Sequence, residues 1–64
     1  MVKLSKRQTE ILTLIAAGYK YDRIGEILNI SSPTVNIHLQ KTRAKLGAKT
    51  NAQAVAIAIR ENLI

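Results

Sequence analysis

An all-α fold of four short helices is what this sequence predicts, and three observations carry the prediction. Apolar residues recur at helical spacing in four stretches, hydroxyl residues suited to capping precede three of them, and Gly18, Asn29 and Gly47 close three of them. The 64 residues include no Cys, Phe or Trp, so the core has to be built from well-packed aliphatic side chains, for which helix packing is the efficient route. With no internal repeat, no low-complexity segment and no linker, residues 1–64 read as a single four-helix, bundle-like domain.

The first helix is expected over residues 6–17. Ser5 and Gln8 have the spacing of a capping box, in which the hydroxyl accepts from an amide of the first turn and the longer side chain reaches back to the cap amide. Ile11, Leu12, Leu14 and Ile15 supply a broad apolar stripe, and Gly18 offers the left-handed stop that helix ends favour.

The second helix is expected over residues 22–28. Ile24, Ile27 and Leu28 share one face, with Asp22 placed to act as the cap or as a first-turn anion. Gly25 stands in its middle at a cost of roughly 1 kcal/mol relative to alanine, which points either to close approach by the following helix or to simple tolerance.

The third helix is expected over residues 32–46. Ser31 or Ser32 caps it, Pro33 falls at or near the first helical position, where its missing donor would have gone unpaired, and Gly47 ends it. Val35, Leu39, Thr42 and Leu46 recur at four, three and four residues and define its buried face. The opposite side carries Asn36, Ile37, Gln40, Lys41 and Ala44, flanked by Arg43 and Lys45. The second and third helices meet across a turn of only a few residues, which is helix-turn-helix geometry.

The fourth helix is expected over residues 51–61, started by Thr50 and Gln53 at a second capping-box spacing. Its alanine content favours helix over the strand that the alternation from Ala54 to Ile59 would otherwise suggest. Ala54, Val55 and Ala58 lie on one side, with Ala52, Gln53, Ala56 and Arg60 on the other. Both sides are small or apolar, and a terminal helix needs only one buried face, so the second side is a candidate for self-association.

Ten Lys and Arg against four Asp and Glu give a net charge of +6 and a sequence pI of about 10.2, which calls for an anionic partner. The longest apolar runs are far too short to span a membrane, and Met1 to Arg7 leads into no signal-type apolar segment, so the chain is expected to be soluble and cytoplasmic. A metal site is not expected, because a lone His38 with no cysteine lacks a ligand set, and neither is catalysis. Ser31, Ser32 and Asp22 lack a nucleophile elbow and a pocket.

Together these residues resemble the LuxR-type, or GerE-like, helix-turn-helix domain, the DNA-binding output module of many bacterial transcription regulators. The resemblance covers nearly the whole chain through Leu4-Ser5-Lys6-Arg7-Gln8, Glu10-Ile11-Leu12, Ala17-Gly18, Ile24, Ile27-Leu28-Asn29-Ile30-Ser31, Thr34-Val35, His38, Lys45-Leu46 and Gln53-Ala54-Val55. The form of Thr34 to His38 and the ending Asn62-Leu63-Ile64 look most like the quorum-sensing branch, whose regulators bind acyl-homoserine lactones in a separate N-terminal domain. The resemblance therefore implies a lactone input through another domain, with a phosphorylation-controlled response regulator or a stand-alone regulator as the alternatives. No cofactor is implied.

Carried over by position, the resemblance places Asn36, Ile37 and Gln40 on base edges in the major groove. Amides can pair with adenine and an aliphatic side chain can meet a thymine methyl. Lys20, Thr34, Lys41 and Lys45 are the candidates for phosphate contact, although these lysines would equally serve to solvate a helical face. The family dimerises through its fourth helix, which assigns Ala52, Gln53, Ala56 and Arg60 to a homodimer on an inverted-repeat site, with RNA polymerase contact and a place at the bacterial nucleoid following from the role. The chain departs from the family pattern at Lys20 and Arg23, which puts the cap of the second helix in question, and at Gly25, Thr42 and Asn51, the last two of which should loosen family contacts. A basic protein-interaction or RNA-binding module is the competing class, and an aromatic content of 3% leaves RNA bases without a stacking platform. Tyr19 and Tyr21 suit either DNA backbone contact or cover for the first helix.

Overall fold

The computed structural model describes residues 2–64 and contains four helices, α1 (Lys6–Ala16), α2 (Tyr21–Leu28), α3 (Ser32–Leu46) and α4 (Asn51–Arg60), with no strand among the described residues. Ile11, Leu12, Ile24, Val35, Leu39, Ala54 and Ala58 are fully buried in a single cluster to which every helix contributes. α3 is the hub, packing on α1, α2 and α4, and α1 and α4 also pack on each other. The two alanines of α4 let that helix lie close to the others, as small side chains do at tight helix crossings.

Each helix ends in the same way. Gly18, Asn29, Gly47 and Asn62 adopt left-handed backbone with φ of 95°, 59°, 67° and 58°. The next amide then turns back to a carbonyl five residues earlier, from Tyr19 to Leu14 at 3.1 Å, Ile30 to Gly25 at 2.9 Å, Ala48 to Arg43 at 2.9 Å and Leu63 to Ala58 at 2.7 Å. This closure satisfies carbonyls that would otherwise be orphaned, and glycine and asparagine are the residues that tolerate it. Asn62 was not anticipated as a stop. As the other left-handed-tolerant residue type, it carried the signal.

Several boundaries differ from expectation. α1 stops at Ala16 because Ala17 already belongs to the turn that tightens toward Gly18. α2 begins at Tyr21, not residue 22: Lys20 holds the capping position with extended backbone, and its carbonyl accepts from the Ile24 amide at 2.9 Å. Asp22 is therefore a first-turn anion and not the cap, and no side chain caps this helix. α4 ends at Arg60, with Glu61 outside it.

The capping box of α1 is complete: Ser5 Oγ accepts from the Gln8 amide at 3.1 Å and Gln8 Oε1 from the Ser5 amide at 2.9 Å. That of α4 is only half made. Thr50 Oγ1 accepts from the Gln53 amide at 3.0 Å, while Gln53 Oε1 reaches one residue further, to the Lys49 amide at 2.8 Å. Ile27, expected on the buried face of α2, is 44% exposed. Ile24 and Leu28 already fill the narrow seam that this two-turn helix presents to its neighbours, and Ile27 falls beside it.

Gly25 is explained by a close approach, made by the turn and not by the following helix. A Cβ there would stand 2.5 Å from the Ile30 carbonyl oxygen, inside any real contact distance. The missing side chain thus sets how tightly the chain doubles back between α2 and α3. Thr42, 1% exposed, donates its hydroxyl to the His38 carbonyl at 2.8 Å, and among the described residues no buried side-chain polar atom lacks a partner.

Candidate nucleic-acid interface

α3 is fixed from its buried face, where Val35, Leu39 and Thr42 contribute fully to the core. Its start is set by Ser31, whose Oγ accepts from the Thr34 amide at 3.2 Å and shares a hydrogen bond with Thr34 Oγ1 at 2.9 Å. Of the two serines considered, Ser31 is the cap and Ser32 the first helical residue, which puts Pro33 second.

Toward its C-terminus α3 is tied on both flanks. On one, Lys45 Nζ donates to Gln8 Oε1 at 2.9 Å and to the Lys3 carbonyl at 3.2 Å, joining α3 to the start of α1. On the other, Arg43 Nη1 donates to Asn51 Oδ1, and Asn51 Nδ2 donates to the Tyr21 hydroxyl at 2.8 Å, joining α3 to the starts of α4 and α2. Asn51 and Thr42, the two departures expected to loosen contacts, are thus both hydrogen-bonded inside the fold.

The face turned away from the core carries Ile37, 49% exposed, with Gln40, Lys41 and Ala44 exposed and Asn36 half-buried. The side-chain hydrogen bonds of α3 arise at Thr34, Thr42, Arg43 and Lys45, which leaves the amides of Asn36 and Gln40 without a partner among the described residues. At 100° per residue, Ile37 and Ala44 run up the middle of this face. Asn36 and Arg43 edge it on one side, and Thr34, Lys41 and Lys45 edge it on the other. α3 holds three cations, Lys41, Arg43 and Lys45, and no acid.

Of the predicted phosphate group, Lys41 is exposed, Thr34 is half-buried with its hydroxyl shared with Ser31, and Lys20 is exposed at the cap of α2. Lys45 is also exposed, but its ammonium is already engaged within the fold. Ala52, Gln53, Ala56 and Arg60 form an exposed strip on α4 opposite the buried Ala54 and Ala58. Ile59, 56% exposed, belongs to that strip and was missed, although its offsets of seven from Ala52 and three from Ala56 were legible on a helical wheel. Gln8, only 5% exposed, was read as a cap alone, and nothing in the sequence linked it to Lys45, 37 positions away.

His38 is half-buried, and no group of three or more potential metal ligands exists among the described residues. No helix is long and apolar enough to cross a membrane.

Residues 2–58 match the family model for bacterial regulatory proteins of the luxR family. The YhjB protein of Escherichia coli (strain K12), an HTH-type transcriptional regulator by name, is 49% identical over 80% of this chain and 26% of its own length. The oxygen regulatory protein NreC of Staphylococcus aureus (strain JH9) is 43% identical over 95% of this chain and 28% of its own. The chain thus spans about a quarter of the length of these curated relatives. Among solved structures, the transcription factor GerE superposes with a TM-score of 0.89 at 34% identity, covering 92% of this chain and 88% of GerE. The VqmA dimer of Vibrio cholerae, described in the absence of its target DNA and in connection with LuxR-type receptors, gives 0.85 at 34% identity, covering 92% of this chain and 26% of VqmA.

Proposed function

The chain belongs to the luxR family of bacterial regulatory proteins, a family of DNA-binding transcription regulators and not of enzymes, and from that premise we propose that α3 lies in the major groove of double-stranded DNA and reads a specific sequence there. The observation that carries this reading is the outward face of α3. Two amide side chains without intramolecular partners and one exposed isoleucine stand together on a rigid, acid-free helix. Asn36 and Gln40 supply paired donor and acceptor atoms for base edges, and Ile37 supplies apolar contact for a thymine methyl. Lys20, Thr34 and Lys41 contact phosphates, joined by Lys45 when its ammonium shares its third proton outward.

Two copies act together through α4. Ala52 and Ala56 permit close helix approach, Ile59 supplies the apolar anchor, and Gln53 and Arg60 form the rim. Two recognition helices then meet an inverted repeat about one helical turn apart. VqmA, a structural neighbour, is itself described as a dimer. The input comes from another domain of the whole protein. Similarity to the oxygen regulatory protein NreC fits the response-regulator alternative, beside the acyl-homoserine lactone input that the quorum-sensing resemblance implies. Contact with RNA polymerase and residence at the nucleoid complete the proposal.

The test is base preference. The chain is used to select duplexes from a random-sequence pool, and the Asn36→Ala, Gln40→Ala double variant is compared with the parent on the selected and on scrambled duplexes. Discrimination should fall by roughly 1–3 kcal/mol for each lost bidentate pair. Preference that survives intact would refute the reading.

A further inference from the structure

We propose that Arg43 and Tyr21, oriented by Asn51, form a phosphate-binding pair that grips the DNA strand on the side of α3 opposite Lys41 and Lys45. The inference rests on the DNA reading above and deepens it by adding a second flank to the groove contact.

The hydrogen-bond directions carry the argument. Asn51 Oδ1 accepts from Arg43 Nη1, and Asn51 Nδ2 donates to the Tyr21 hydroxyl at 2.8 Å. A flipped amide would set NH₂ against the guanidinium, donor to donor, so the arrangement has one sense. Because the Tyr21 oxygen serves as acceptor, its own proton is left to donate elsewhere. Arg43 spends one N–H on Asn51, which leaves four in a planar fork suited to phosphate. Both ends of the chain of hydrogen bonds are therefore donors, and the middle residue holds them in place.

The charge is also unspent. Asn51 is a neutral partner, and the only ion pair among the described residues, Arg23 with Glu26 at 3.9 Å, lies elsewhere on α2. All three residues are half-buried, so they are held but still reachable.

Position completes the case. Arg43 follows Asn36 by seven residues, two turns along the same edge of the exposed face, or about 10 Å. Lys41 and Lys45 occupy the other edge. A helix about 10–12 Å across, placed in a major groove about 12 Å wide, brings each edge to one of the two strands that line it. Without Arg43 and Tyr21, one of those strands would face the helix with no cation from α3.

The experiment measures affinity for a duplex selected by the parent chain, across a range of salt, for Arg43→Gln, Tyr21→Phe, Asn51→Ala and the Arg43→Gln, Asn51→Ala pair, each with its melting curve. Arg43→Gln keeps a donor toward Asn51 but removes the charge. It should lower the slope of log affinity against log salt by about 0.9 and weaken binding roughly tenfold. Tyr21→Phe keeps the packing and should weaken binding roughly threefold with an unchanged slope. Asn51→Ala should weaken binding alone yet add little to Arg43→Gln, since its role is to position that group. An unaltered slope for Arg43→Gln, measured where Lys41→Ala does lower it, overturns the pair and leaves the DNA reading standing. A parent chain that enriches no duplex overturns both.

Discussion

Gly25→Leu should unfold much of the advantage that the turn between α2 and α3 provides. A Cβ at this position stands 2.5 Å from the Ile30 carbonyl oxygen, and ordinary contact begins at 3.4 Å, so the backbone has to part by about 1 Å. The same turn is closed by the Ile30 amide bonding the Gly25 carbonyl at 2.9 Å, and that bond stretches as the backbone opens. Overpacking costs about 1–3 kcal/mol, a weakened hydrogen bond about 1 kcal/mol, and the better helix propensity of leucine returns just under 1 kcal/mol. The net loss is about 1–3 kcal/mol, against a total stability of about 3–10 kcal/mol for a chain of this length. At roughly 4–8 °C per kcal/mol, the melting temperature should fall by roughly 5–20 °C, followed by far-ultraviolet circular dichroism. Gly25→Ala sets the same Cβ against the Ile30 carbonyl oxygen but lacks the further atoms of leucine and has the slightly better helix propensity, so it should lie between the two. A leucine variant that melts with the parent would show that the turn yields freely and that this contact does not set the approach of α3.

The two lysines on one edge of α3 should separate in a combined melting and salt titration. Lys41→Ala should lower the salt slope of DNA binding by about 0.9 with little change in stability, while Lys45→Ala should also cost about 1 kcal/mol of stability through its lost bonds to Gln8 and the Lys3 carbonyl; an unchanged slope for both removes them from the interface. Ile59→Glu, on the exposed strip of α4, should leave the melting temperature within a few degrees of the parent and convert two chains per palindromic duplex to one in sedimentation; retained pairing would place the dimer contact elsewhere. Ser31→Asp should preserve or raise stability by about 0.3–1 kcal/mol through the helix dipole while weakening DNA binding, because it sets a carboxylate beside the groove-entering end of α3; undiminished affinity would mean that this end does not approach phosphate.

The parts of this fold that depend on near neighbours in the chain were legible. Caps at Ser5 and Thr50, a cap at Ser31 or Ser32, the stops at Gly18, Asn29 and Gly47, and both ends of α3 all follow from residues within five positions of one another. The buried face of α3 followed from periodicity alone, and its opposite face, the candidate reading surface, came with it. Contacts that join helices were not legible. Lys45 with Gln8 spans 37 positions and Asn51 with Tyr21 spans 30, and neither pair has a spacing that local geometry can fix. Ile27 fails for a related reason. Periodicity says which side of α2 is apolar, but only the width of the seam against α3 says how much of that side is covered.

On the proposed reading one helix is both the hub of the core and the reader of the groove, and the chemistry of α3 suits the two tasks. Its buried residues, Val35, Leu39 and Thr42, are compact, and two are β-branched with few rotamers, so the axis is held with little play. Such rigidity matters because a base-edge hydrogen bond needs its donor and acceptor held within a narrow range of distance and angle. The two polar ties, at Lys45 and at Arg43, add restraint where the core thins toward the C-terminus, and both use cations bonded to neutral acceptors. Carboxylate partners would have held α3 more strongly, but they would have cancelled the charge that the phosphates require. Neutral amides and a backbone carbonyl hold the helix while leaving its field intact. The acids of the chain, Glu10, Asp22, Glu26 and Glu61, accordingly all lie on helices or turns other than α3.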